Sequence, residues 1–128
     1  MDIKLKVDRL LNDIRAKSHL AVATIADPAV RYSTEAGTEK TGEILRDIAA
    51  AASSVVQQCY RYIDVAGTDT ADNILSDSDE IVFVIRGGAR RFDGKEKAIA
   101  DKLHSAVVDL ALQKYYLSVT QAELSRTH

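Results

Sequence analysis

Tryptophan is absent, proline and methionine occur once each, and a single cysteine, Cys59, stands among 128 residues. One thiol closes no intramolecular disulfide, so no cysteine framework staples this chain, and a reducing compartment such as the cytoplasm is expected. Aromatic residues make up 5% of the sequence, which leaves little to fill the core of a large β-sandwich. Uninterrupted apolar runs such as Ile81–Ile85 reach five residues. A helix needs ~20 to cross a bilayer, so no membrane association is expected. The opening residues Met1 to Lys6 alternate charged and apolar side chains, unlike the continuous apolar stretch of a secretory leader. An excess of one charge is missing too. The 17 Lys and Arg and 19 Asp and Glu leave a net −2, which gives no bulk attraction to a polyanion.

What is present is globular in composition, with 46% hydrophobic and 28% charged residues, and its length suits one domain over 1–128. Scarce proline and glycine beside abundant Ala, Leu, Lys and Glu favour helices. The expected fold is mainly α: a helical bundle of three to four helices with a small β-hairpin inserted before the C-terminal helix. Ile3, Val7, Leu10, Leu11 and Ile14 recur on one helical face and predict a helix from about Asp2 to Lys17. Asp27-Pro28 then marks a boundary, where Asp27 is suited to cap a short helix with Pro28 at its first position and Gly37 past its end. The strongest periodicity, Ile44, Ile48, Ala52, Val55, Cys59, Tyr62 and Ile63, predicts a helix from Thr38 or Thr41 to Ala66, with the small residues Ala49–Ala52 allowing close approach of a neighbour. Cys59 reads as a small buried hydrophobe on that stripe.

Five β-branched or aromatic residues in a row, Ile81–Ile85, predict a strand. Its partner is open between Ala89–Phe92 and Thr70–Leu75, and a two-stranded unit must rest on the helices or join a neighbouring subunit. Asp93-Gly94 opens the last element, with Asp93 a candidate N-cap; about thirty residues in helical phase would extend roughly 45 Å.

Chemistry-bearing patterns are few. Asp69–Glu80 has the length of an EF-hand loop, but Ala71 and Ile74 occupy positions that need an oxygen ligand and a glycine, so a solvated acidic loop is the better reading. His19, His104 and His128 lack zinc-site spacing, and neither metal nor other cofactor is expected. Asp101 lies one turn before His104 and is placed to orient its imidazole; an enzyme built on that pair predicts a concave pocket at this face of the helix. No GxSxG or Cys–His pattern offers a nucleophile, so the chain is expected not to be an enzyme.

Charge, by contrast, is segregated. Five acids lie between Asp69 and Glu80, whereas Arg86, Arg90, Arg91, Lys95, Lys97 and Lys102 follow closely. Opposite-sign patches suit contact between identical subunits, or contact with another assembly protein. The turn Arg86-Gly87-Gly88-Ala89-Arg90-Arg91 also offers phosphate contacts, which keeps a small nucleic-acid-binding module as the alternative. Tyr115 and Tyr116 are adjacent on a helix, about 100° apart, so one of them is expected at the surface as a partner contact. Candidate contact residues are therefore Arg86, Arg90, Arg91, Lys95, Tyr115 and Tyr116.

The order of elements resembles the small helical head–tail connector, or neck, proteins of tailed bacteriophages and prophages. The likeness is one of pattern over most of the chain: a long helix from Thr38 to Ala66, a hairpin-like excursion from Asp69 to Phe92, and a terminal helical region from Lys95 to Ser125. It implies a subunit without catalytic motif that assembles into a ring between portal and tail, and so a virion-associated location.

Overall fold

In the first segment Ile3 and Leu5 point inward while Asp2, Lys4 and Lys6 point outward, the two-residue alternation of a strand with one covered face. This computed structural model describes residues 2–36, 40–64, 68, 79–86 and 94–127. The elements follow in the order β1 (Asp2–Lys6), α1 (Val7–Val22), α2 (Pro28–Thr34), α3 (Thr41–Gln58), β2 (Glu80–Val84) and α4 (Glu96–Thr127). The chain is thus mainly helical with one small antiparallel pair of strands. No helix among the described residues is long and apolar enough to cross a membrane.

β1 corrects the expected N-terminal helix from Asp2. Its partner is β2, with Ile3 opposite Phe83, Leu5 opposite Ile81 and Lys6 opposite Glu80. Ile3 and Val7 also fit helical spacing, but a helix at Asp2–Lys6 would leave one edge of β2 without backbone partners, and the strand supplies them. The two stretches considered as partners of Ile81–Ile85, residues 70–75 and 89–92, lie outside the described residues. On its other edge β2 continues into an isolated bridge between Ile63 and Ile85, flanked by Asp64 N–H donating to Val84 O (2.8 Å) and Arg86 N–H donating to Tyr62 O (2.6 Å).

That bridge also explains why α3 stops at Gln58 and not at Ala66. After Cys59 the chain turns, with Tyr62 and Ile63 N–H both donating to Cys59 O, and Ile63 is delivered to the sheet. Ile63 is buried there, while Tyr62, expected on the buried stripe, is exposed. Cys59 is half-buried against the core. Within α3 the stripe Ile44, Leu45, Ile48, Ala51, Ala52, Val55 and Val56 is buried, and α4 forms its most extensive interface.

α1 starts at Val7 and runs to Val22, past the expected end at Lys17, burying Val7, Leu10, Leu11, Ile14, Ser18 and Val22. α2 forms as its sequence predicts: the Asp27 carboxylate accepts from Ala29 N–H (3.0 Å), and Pro28 occupies the first turn, where its missing N–H has no intrahelical role. Gly37 and the Asp93 cap lie outside the described residues. Gly94 has φ +73°, a conformation L side chains rarely adopt, and it sets the chain's entry to α4.

α1 and α4 run parallel, tied in ascending order by Asp13 to His104, Lys17 to Asp109 and Ser18 to Tyr116. α3 runs against both. The bundle therefore has a sheet end, carrying β1 and β2, and an opposite end where α2 closes over α1 and α4. Core packing on α4 spans Ile99 to Val119 among the described side chains, and its backbone helix continues from there to Thr127.

Candidate functional site

At the sheet end a polar cleft of about 500 Å³ opens between the β1–α1 junction and the first turns of α4. No linker separates β1 from α1: Lys6 is extended and Val7 already helical, with Val7 N–H donating to Asp79 O (3.0 Å). Strand alternation places Lys4 and Lys6 on the outward face, and helical spacing places Arg9, Asn12 and Asp13 along one side of α1. The opposite wall is Ala100, Asp101 and His104, again one turn apart.

His104 Nε2 meets the Asp13 carboxylate across the cleft. An ionised carboxylate only accepts, so Nε2 carries the proton and donates it. The concave face anticipated beside His104 is present, but its carboxylate partner is Asp13 of α1, with Asp101 a further lining residue. The pair spans 91 positions of sequence, a separation that helical spacing within α4 does not reveal. Among the described residues that line the cleft none is Ser, Thr or Cys, so none of them offers the imidazole a hydroxyl or thiol nucleophile. Among the described residues no group of His, Cys, Asp and Glu could hold a metal ion.

Of the six contact residues expected from sequence, the four described ones divide between the two ends of the bundle. Arg86 is exposed just after the Ile63–Ile85 bridge, and Lys95 is exposed just before α4. Arg90 and Arg91 lie outside the described residues. Tyr115 is only 1% exposed and belongs to the core, and Tyr116 is half-buried, so the expectation that one of them stands at the surface is corrected. Both are covered because α4 has neighbours on two sides. Tyr115 OH donates to Glu35 O at the end of α2 (3.0 Å), and Tyr116 OH donates to Ser18 Oγ on α1 (3.1 Å).

Those tyrosines form a polar clamp at the opposite end. The fully buried Ser18 Oγ also accepts from Ala36 N–H (2.8 Å), and Glu35 O also accepts from Lys40 Nζ (2.8 Å), which lies 5.6 Å from the Tyr115 ring centre. On α3, burial pushes the Asp47 carboxyl above its ordinary value, repulsion from Glu43 adds to this, and Arg46 and Lys114 oppose it.

The surfaces of the two ends differ. Leu20 (73%) and Leu117 (55%) are exposed at the clamp end, and Tyr60 (56%) and Tyr62 (49%) at the sheet end. No protein-family model, curated protein or solved structure matches this chain. The exposed leucines fall within helical segments whose other faces are buried, and only the tertiary arrangement brings them to one end.

Proposed function

We propose that this chain is a non-enzymatic assembly subunit whose occupant at the clamp end is a second copy of itself, in the manner of phage head–tail connector rings. The observation that carries the reading is the exposure of Leu20 and Leu117 at one end of a bundle whose other end displays Tyr60, Tyr62, Arg86 and Lys95. Large apolar side chains left in water are stabilised when another surface covers them, at about 25 cal/mol per Å². Because the ends are chemically unlike, repeating contacts join one end to the other, which generates rings or filaments and not isologous dimers.

Light scattering after size exclusion, across protein and salt concentrations, tests the reading. A discrete oligomer is expected, and Leu117→Asp combined with Leu20→Asp shifts it to monomer. A strict monomer at every concentration overturns it. The alternative, a nucleic-acid module using Arg86, Arg90, Arg91 and Lys95, predicts affinity that falls steeply with salt, and no binding of DNA or RNA at low salt removes it.

A further inference from the structure

The sheet-end cleft has a property that assembly does not use. Four of its lining side chains, Lys4, Lys6, Arg9 and Asn12, are hydrogen-bond donors that make no hydrogen bond or ion pair with any described residue. Arg9 is the telling case. Asp13 lies four positions on along α1, the spacing at which an arginine and a carboxylate ordinarily pair on a helix. That carboxylate instead faces His104 across the cleft. The His104–Asp13 contact thereby ties α1 to α4 and also leaves the Arg9 guanidinium uncommitted beside two lysines.

From this geometry we infer that the cleft is a binding site for a small molecule bearing an oxyanion, a phosphate ester or a carboxylate. Three cations and an amide donor line one wall, and the guanidinium fork matches two oxygens of such a group. At about 500 Å³ the cleft has room for a ligand larger than the anion alone. Its lining is polar, so the ligand is polar throughout. Asp101 on the α4 wall and the His104-paired Asp13 beside the cations face the same space and oppose a second negative group, which limits the ligand to one oxyanion.

The test is titration of the full chain with inorganic phosphate, and separately with acetate, followed by amide chemical shifts at constant ionic strength. Saturable shifts confined to the β1–α1 junction and the first turns of α4 are expected. Arg9→Gln weakens binding roughly tenfold, the loss of one charge-assisted bidentate contact. Lys102→Gln, a nearby cation that does not line the cleft, changes affinity less than twofold, and Asp13→Asn tightens binding by removing opposing charge. All three positions are partly or fully solvent-facing, so the variants remain folded, as circular dichroism checks. Stronger binding of phosphate than of acetate assigns the phosphate ester, and the reverse assigns the carboxylate. Shifts that never saturate, an equal loss in Lys102→Gln, or indifference to Asp13→Asn overturn the site.

Discussion

At the sheet end Ile3, Leu5, Ile81 and Phe83 meet side chain to side chain and are almost wholly removed from water. At the clamp end the closing contacts are polar: Ser18, Glu35, Lys40, Tyr115 and Tyr116 join α1, α2 and α4 through hydrogen bonds, several to backbone atoms at the end of α2. Apolar contact is non-directional and scales with area, whereas each hydrogen bond adds little net stability and is expensive to leave half-made. One end is therefore held by volume and the other by geometry, and the two should fail differently.

Phe83→Ala breaks the sheet end and gives the largest effect. Removing a fully buried aromatic is expected to destabilise the fold by about 3–5 kcal/mol, read as a lower denaturant midpoint. Ser18→Ala tests the clamp. It strips the acceptor from the Ala36 N–H and the Tyr116 hydroxyl at a fully buried position, for an expected loss of about 1–3 kcal/mol. Hydrogen exchange sharpens the comparison: amides around Ala36 lose protection in Ser18→Ala while those of β2 keep theirs, and equal loss at both ends would show the ends to be one cooperative unit.

Asp47→Asn gives the smallest effect, and its sign follows from the raised carboxyl. A group held above its ordinary value disfavours the folded state when ionised, so the native chain loses stability as pH rises through that range. The amide variant is expected to be slightly more stable at neutral pH, by less than ~1 kcal/mol for a partly exposed group. The difference from the native chain vanishes in acid, as thermal unfolding at two pH values checks.

Local grammar was readable. Asp27-Pro28 announces its helix because cap and first turn are neighbours in sequence, and the β-branched run Ile81–Ile85 announces its strand. The mainly helical class follows from composition, and the long last helix from periodicity. Residues 2–6 misled because five residues are too few to separate a period of two from one of 3.6, and what decides between them, β2, lies far along the chain. The end of α3 was hidden for the same reason: Ile63 keeps helical phase with Ile48 and Val55, yet its backbone is claimed by Ile85. The cleft was half legible. His104 and Asp101 share a helix, but Asp13, Arg9 and the two lysines join them only through the parallel packing of α1 and α4.

The pairing of β1 with β2 bears on how the chain is made. Partners in the ladder are 74 to 82 residues apart, and closing a loop of that size costs on the order of 4 kcal/mol in chain entropy before any contact offsets it. During synthesis β1 leaves the ribosome long before β2 exists. Through that interval Ile3 and Leu5 stay in water and the strand edge stays open to other chains, while α1, α2 and α3 already have the residues they need to form. The alternating Asp2, Lys4 and Lys6 then serve a second purpose, as charges that keep a waiting strand from pairing with the wrong partner.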